Sequence, residues 1–389
     1  MTLTVLSLEQ ATTLPYMTLR LAEDGARVIR VEAPPRGDPN RWVGPEVLPG
    51  EKGMNAYFLP NNLGKQSITL DLRTPEGRKL LHRLIRELPV DIFATNNRPR
   101  SYAKLGIDYE TLSALKPDLI WVGITGFGPG SNEAAYDPIL QARAGFMDLT
   151  GEKDGDPMIF GLPMVDLGAG EHAYGQVMKA LYKRALTGEG SRIDISMFQS
   201  AVSWMVSPVL LTHSFGIENT RHGNTHPFFA PASVFPTADG FVYLAVGNDR
   251  QWQAIVGLEG FESLNDVGYA QNSGRIADVQ RLNRRIAAIT RRIPTTELIA
   301  AFRQIGVPIS RVNTLPDVCR DPLIAEHMIR ARDPRTGTQI AIPPPPVIST
   351  HLREKHMTLP FPPRLGEHNA EIFGHLGEDV EDLRNRNIL

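Results

Sequence analysis

Cysteine is almost absent: Cys319 is the only one in 389 residues, which excludes an internal disulfide framework and a multi-thiolate metal site within one chain and fits a reducing, cytoplasmic setting. Net charge is small too, −2 at neutral pH. Lys and Arg number 41 against 43 Asp and Glu, so no global field gathers nucleic acid or an anionic membrane, and any phosphate must be held locally. No apolar run reaches about 18 residues. The opening segment, Met1 to Glu9, lacks a basic leader with an apolar core, so neither export nor membrane spanning is expected. A GxGxxG fingerprint and a GxSxG elbow are also missing. Gly126-Phe127-Gly128-Pro129-Gly130 follows a strand-like run, but Pro129 removes a donor and no helix starts at once, which argues against a dinucleotide loop. His222 and His226 stand at i, i+4, yet Gly223 and Pro227 disfavour a helix there and no acidic ligand lies near. No metal site is expected.

What is present is an alternation of strands and helices. Thr4 to Leu8 is β-prone, Leu14 to Asp24 reads helical, and Arg27 to Glu32 reads as a strand ending before Pro34-Pro35. Ser67 to Leu72, a helix from Pro75 to about Leu88, and Val90 to Ala94 repeat the pattern. Leu119 to Thr125 is continuously apolar, as a strand buried on both faces should be. Such an order predicts a parallel sheet with helices on both sides and ligands at the carboxyl ends of its strands. Helices are expected over Pro138 to Leu149 and Gly168 to Arg184, then a strand from Arg192 to Phe198 and a long helix from Gln199 to about Phe215. After His222 the texture changes. Ala232 to Phe235 and Phe241 to Val246 read as a β-hairpin, and Trp252 to about Phe302 is mostly helical. The domains expected are a large one over residues 1–200, completed by 330–389, and a smaller α+β one over 224–325. Linkers are expected at 201–223 and 326–350, the second carrying the rigid Pro343-Pro344-Pro345-Pro346 run.

Two features point to chemistry. In Gly161-Leu162-Pro163-Met164-Val165-Asp166-Leu167-Gly168-Ala169-Gly170 an apolar run meets one carboxylate and then small residues. A helix starting at Asp166 would make that side chain an N-cap, and it would leave uncovered backbone N–H groups able to face a ligand. Basic or polar residues also recur near strand ends: Arg36 and Arg41, Lys65, then Asn96, Arg98, Arg100 and Lys104. In a parallel sheet these converge on one edge and suit a ligand with several phosphates, or they are scattered surface charge.

In this order and spacing the residues resemble the class III CoA-transferase family, the superfamily of formyl-CoA transferase and 2-methylacyl-CoA racemase. The matches include Pro15-Tyr16, Leu21 through Glu32, Gly64-Lys65, Leu70-Asp71-Leu72, Asn96 with Arg98-Pro99, and Lys104-Leu105-Gly106. They continue through Tyr136-Asp137, Asp166-Leu167, Thr187 to Gly190, Gly247-Asn248-Asp249 and Leu365 to His368. The resemblance implies an α/β fold with a Rossmann-like large domain and a smaller α+β domain, in an interlocked homodimer. It implies that Asp166 is the catalytic nucleophile, and that coenzyme A, a substrate rather than a tightly bound cofactor, meets Gln10, Ala11, Thr12, Arg41, Leu70, Asn96, Arg98, Lys104, Tyr136 and Asp137. Backbone N–H groups near Gly168 to Gly170, or from loops opposite, would stabilise an oxyanion.

Some positions depart from the family. Thr13-Leu14-Pro15 stands where members usually have alanine-glycine-proline. Ala33 replaces a common arginine, leaving Arg36 or Arg41 to substitute, and Asn97 replaces an aromatic. Racemases of the family carry a histidine at the position of Tyr136; an ordinary tyrosine, with a pKa of about 10, is a poor base at neutral pH. A transferase is therefore favoured. Its acyl groups are expected to be short dicarboxylates such as succinate, mesaconate, citramalate or itaconate, with Gln10, Thr12 or Arg143 on the distal carboxylate. Intramolecular CoA transfer, a racemase, and a non-catalytic acyl-CoA-binding protein are the alternatives.

Overall fold

A computed structural model describes residues 3–389. Met1 and Thr2, the first residues of the opening segment on which the export expectation rests, lie outside the described residues. The strands β1 (Thr4–Leu8), β2 (Arg27–Glu32), β3 (Lys65–Thr69), β4 (Val90–Thr95), β5 (Ile120–Thr125) and β6 (Ser191–Ser196) form one sheet in the order β3-β2-β1-β4-β5-β6. Every pairing in it is parallel. This is the doubly wound order, and its direction reverses between β1 and β4, where a crevice opens at the carboxyl ends.

Strands β1, β2, β4 and β5 are buried along almost their whole length because both faces of the sheet are covered there, whereas β6, at the edge, alternates exposed Arg192 and Asp194 with Ile193 and Ile195. Leu6, Ile29, Phe93 and Trp121 pack with Leu80, Leu81, Leu84 and Ile85 and with Ile372, Phe373, Leu383 and Ile388. The end of the chain thus returns to the sheet that its beginning built. Backbone and side chain fix that return: Asp71 N donates to Ile388 O at 2.8 Å, and Thr69 N to Asn369 Oδ1 at 2.9 Å.

The principal helices around this sheet are α1 (Thr13–Glu23), α2 (Pro75–Glu87), α3 (Asp137–Arg143), α4 (Met164–Thr187), α5 (Met197–Ser203) and α6 (Val206–Phe215). Helix α2 begins as its sequence prescribes, with Thr74 accepting from Gly77 N and Pro75 in the first position. The helix expected over Pro138 to Leu149 stops at Arg143, and Gly145 takes φ +84° before a further turn at Phe146–Leu149. The strand expected to reach Phe198 ends at Ser196, whose side chain accepts from Gln199 N and caps α5. The single long helix expected after it is two, divided at Trp204 and Met205.

Two compact units result. The first comprises residues up to Ala144, Phe160–Phe215 and Leu323–Leu389; the second comprises Gly145–Ile159 and Gly216–Pro322. Residues 145–159, expected in the large domain, belong to the second unit because Arg221 holds them. Its Nη1 meets Asp148 Oδ1 at 2.7 Å and its Nε donates to Gly155 O at 3.1 Å, beside a Gly223 N to Gly151 O bond of 2.9 Å.

The second unit contains the antiparallel strands β7 (Ala232–Pro236), β8 (Phe241–Ala245) and β9 (Ile309–Arg311). They pack with helices over Phe235, Leu244, Trp252, Leu282, Leu298 and Phe302. The segment 326–350, expected as a return linker, is instead a packed element of the first unit. Strands β10 (Ile329–Arg332) and β11 (Gln339–Ile342) pair antiparallel, and Ile329, Ala331 and Ile342 are buried with Phe58, Leu352 and Leu359. Among the described residues no helix is long and apolar enough to cross a membrane.

Candidate active site

A cavity of about 180 Å³ lies at the carboxyl ends of β1, β4 and β5. Its construction starts below it, in a buried set of three acids and three bases. Glu9, Glu32 and Asp38 face Arg30, Arg41 and Lys65, all six withdrawn from water. Lys65 Nζ sits 2.8 Å from Glu9 Oε1, Arg30 Nη2 2.8 Å from Asp38 Oδ2, and Arg41 Nη2 2.6 Å from Glu32 Oε1. Burial alone would raise the Glu32 carboxyl, but Arg30 and Arg41 hold it at about 2.

This set grips the floor of the cavity. Asp38 Oδ1 accepts from Ala11 N at 3.0 Å, and Lys65 Nζ donates to Pro15 O at 2.8 Å, inside α1. Ala11 is held at φ +61°, a left-handed conformation unusual for a residue with a Cβ. Across the sheet's switch point, Gln10 N donates to Asn96 Oδ1 at 3.1 Å and Asn96 Nδ2 to Gln10 O at 2.8 Å.

Asp166 closes the far wall, and it is not the N-cap that its surroundings suggest. Helix α4 begins at Met164, and Pro163 offers no side-chain cap. Asp137, from the start of α3, supplies one. Its Oδ2 accepts from Val165 N at 2.8 Å and Asp166 N at 3.1 Å, the two donors that a local cap would satisfy. Gln141, one turn along α3, donates through Nε2 to Asp137 Oδ1 at 2.6 Å and to Leu162 O at 3.1 Å, and accepts from Phe160 N at 3.0 Å.

Capping from another helix leaves the Asp166 side chain free for the cavity. Thr13 Oγ1 donates to Asp166 Oδ1 at 2.5 Å. Burial, partly offset by that hydrogen bond and reinforced by the Asp137 charge, pushes the Asp166 carboxyl up to about 6. It is a desolvated carboxylate, ionised at neutral pH, in the first turn of a helix.

The residues singled out from the sequence divide here. Gln10, Ala11, Asn96, Arg98, Tyr136, Asp137 and Asp166 line the cavity. Tyr136 is 73 % exposed and Arg98 is exposed too. Four others do not line it. Thr12 is buried just before α1, Lys104 is exposed on the short helix Tyr102–Leu105, Leu70 lies in the core against the sheet, and Arg41 is locked between Glu32 and Pro363 O. The Leu70 and Arg41 side chains are buried, and neither reaches this cavity.

The small residues after Asp166 also serve another end. Gly168 to Gly170 lie beyond the first turn of α4, where N–H groups belong to the helix ladder. A Cβ on Gly168 would stand 2.5 Å from the Trp204 ring, and one on Gly170 2.8 Å from the Tyr16 ring and 3.0 Å from Thr13 O. They allow close packing rather than an oxyanion hole.

Gly126 lines the cavity, but its lack of a side chain is required by Ala135, whose Cβ would be 2.4 Å away. Arg143 is paired with Glu133 at 2.8 Å and stacked 4.3 Å from the Phe127 ring centroid. In the second unit, His226 uses Nδ1 to accept from Phe228 N at 3.1 Å.

Thr13, Gln141, Glu133 and Met197 belong to or support the site and were not singled out as doing so. Gln141 carried a signal, four residues after Asp137 on one helix. Thr13 stood out only as a departure from the family's usual alanine, and nothing in the sequence ties it to Asp166, 153 positions away.

Comparison with known proteins gives a consistent result. The sequence matches the family described as CoA-transferase family III over residues 2–369. Succinate–glutarate CoA-transferase of Agrobacterium fabrum is 35 % identical over 377 residues, covering 94 % of this chain and 92 % of that protein. Succinyl-CoA:mesaconate CoA-transferase of Haloarcula hispanica is 34 % identical over 390 residues, covering 96 % of each. Among solved structures, a CAIB/BAIF family protein from Brucella suis superposes with a TM-score of 0.83 at 34 % identity, over 96 % of this chain and 98 % of that one.

Proposed function

This chain belongs to CoA-transferase family III, and from that premise we propose that Asp166 is the nucleophile of a transferase exchanging CoA between short dicarboxylic acids, acting as an interlocked homodimer in the cytoplasm. The observation that carries the reading is the Asp166 carboxylate itself. It faces the cavity from a helix start that another residue caps, and burial gives it a proton affinity well above an ordinary aspartate's. A carboxylate stripped of water and ionised at neutral pH is a competent nucleophile toward a thioester.

In the first step an Asp166 oxygen attacks the carbonyl carbon of the donor acyl-CoA, forming a mixed anhydride and expelling the CoA thiolate. The thiolate then attacks Asp166 Cγ, forming an aspartyl-CoA thioester and releasing the donor carboxylate. The acceptor carboxylate attacks Cγ in turn and expels the thiolate again. Attack of the thiolate on the acceptor's carbonyl carbon yields the new acyl-CoA and frees Asp166. Each bond broken resembles one formed, so the protein needs only to lower barriers and keep water out.

Gln10, Ala11, Asn96, Arg98 and Tyr136 are the CoA contacts in this reading, and Asp137 acts by holding Asp166. CoA enters as substrate, and the proposed steps use no bound cofactor. The dicarboxylate class rests on the relatives that act on succinate, glutarate and mesaconate. The homodimer is supported by α6, none of whose residues is buried within the single chain: Leu210 is 51 % and Phe215 66 % exposed. Apolar surface of that extent on one helix calls for a partner.

The test is covalent capture. Protein mixed with succinyl-CoA and then hydroxylamine should carry a hydroxamate at Asp166 by peptide mass spectrometry, and Asp166→Asn protein should carry none. A panel of carboxylate acceptors then identifies the pair with the fastest turnover. Sustained transfer without any adduct at Asp166 would sink the reading, and a protein that sediments as a monomer at micromolar concentration would sink the dimer.

A further inference from the structure

The two oxygens of a free carboxylate are equivalent, but those of Asp166 are not. Oδ1 accepts from the Thr13 hydroxyl at 2.5 Å. Oδ2 accepts no hydrogen bond among the described residues and is not sealed from the cavity. Thr13 is itself buried, at the first position of α1. Its backbone is fixed from both sides, by the Asp38 hold on Ala11 and the Lys65 hold on Pro15.

We propose that Thr13 is a second catalytic residue that keeps Oδ1 in place through every turnover, so that only Oδ2 attacks and only Oδ2 is exchanged. The proposal rests on Asp166 being the nucleophile. It comes from counting atoms. When Oδ2 attacks the donor, it becomes the bridging oxygen of the anhydride, and Oδ1 becomes the aspartyl carbonyl oxygen, still facing the Thr13 hydroxyl. When the CoA thiolate attacks Cγ, the electron pair moves onto Oδ1. Thr13 donates to that oxyanion, and its collapse expels the donor carboxylate with the former Oδ2 aboard.

The acceptor carboxylate attacks the same Cγ. The charge again gathers on Oδ1, and the thiolate leaves. The last step cleaves the acceptor's acyl carbon from the bridging oxygen, which stays on Asp166 as the new Oδ2. One oxygen therefore passes from acceptor to enzyme and another from enzyme to released acid in each cycle. Oδ1 never leaves. Both steps at Cγ use the Thr13 hydroxyl as an oxyanion donor, a role worth about 10²–10³-fold in rate for a single well-aimed donor.

Oxygen counting tests this directly. The full-length enzyme is run for many turnovers with the fastest donor and acceptor pair from the carboxylate panel, the acceptor carrying 18O in its carboxyl groups and in large excess. The peptide bearing Asp166 is then weighed. Wild-type protein is expected to hold one 18O at Asp166 and not two. Thr13→Val should turn over about 10²–10³-fold more slowly and accumulate two, because an unrestrained carboxylate rotates between cycles. Thr13→Ser should return to one with activity largely restored. A purely structural role for Thr13 would lower the rate without changing the number of labelled oxygens. Two 18O atoms in the wild type, or one in a folded Thr13→Val protein, overturns the proposal while leaving Asp166 as nucleophile. An unlabelled Asp166 after demonstrated turnover overturns both, and the wild-type result decides even if Thr13→Val does not fold.

Discussion

Asp166→Asn should abolish transfer and, at neutral pH, make the protein more stable. Burial, against the Thr13 hydrogen bond and with the Asp137 charge, pushes this carboxyl from the usual 3.8 up to about 6. At ~1.4 kcal/mol per tenfold in proton affinity, holding it ionised in the folded protein costs about 3 kcal/mol. The folded state binds the proton more tightly than the unfolded state. Stability from this group therefore falls as pH rises from about 4 to about 6, and the full deficit persists above that window. Below pH 4 both states are protonated and the deficit is gone.

Asparagine keeps the shape, accepts the Thr13 hydroxyl through Oδ1, and carries no charge. A gain of ~1–3 kcal/mol is expected at pH 7.5, closing as the pH approaches 4. Urea unfolding followed by tryptophan fluorescence at pH 7.5, 6 and 4.5 measures it, since Trp121 is fully buried beside the sheet's helices. A variant no more stable than wild type at pH 7.5, or a gain that does not change with pH, refutes the reasoning.

The same carboxyl predicts that kcat/KM rises with pH through about 6 as the nucleophile ionises, and Asp137→Asn, which removes the neighbouring charge, should move that acidic limb to lower pH while costing about 1 kcal/mol through the weakened cap. Arg41→Ala and Arg98→Ala should part company. The first takes the two-point Arg41 contact from buried Glu32, leaving Arg30 as its partner cation, and should cost ~3–5 kcal/mol in a denaturation curve, while the second should leave stability within about 0.5 kcal/mol of wild type and raise the KM for acyl-CoA several-fold. Gly170→Ala drives a Cβ against Tyr16 and the Thr13 carbonyl and should cost ~1–3 kcal/mol. It should also slow turnover, because it displaces the residue that holds Asp166.

Much of the fold was legible in the sequence because sheet and helix patterns are local. The apolar run at Leu119 to Thr125 announced a strand covered on both faces, and Pro75 announced the start of α2. Where contacts between distant residues decide, the reading failed. Asp166 looked like its own helix cap because nothing near it shows that Asp137, 29 residues away, does that work. Arg41 and Arg98 are both basic residues following strands. Only the fold reveals that one has Glu32 as a buried partner and the other faces the cavity. The segment 145–159 was assigned by continuity, whereas Arg221 claims it for the second unit. In 326–350 the alternation of Ile329 and Ala331 with two arginines was already a strand's signature, overshadowed by the prolines after it.

The six buried charges beneath the cavity bear on how this protein can change over generations. Three positive and three negative groups cancel, so loss of any one leaves an unbalanced charge in a dry interior, while loss of an opposed pair leaves none. Single replacements of Glu9 or Lys65 should therefore be strongly destabilising, whereas Glu9→Gln together with Lys65→Met should keep the interior neutral and the fold intact while giving up the Lys65 hold on Pro15 O. The six positions are bound into a common fate and should drift in compensated couples. Because Asp38 and Lys65 also grip the backbone around Thr13, substitutions that never touch a substrate would be read out as altered turnover at Asp166.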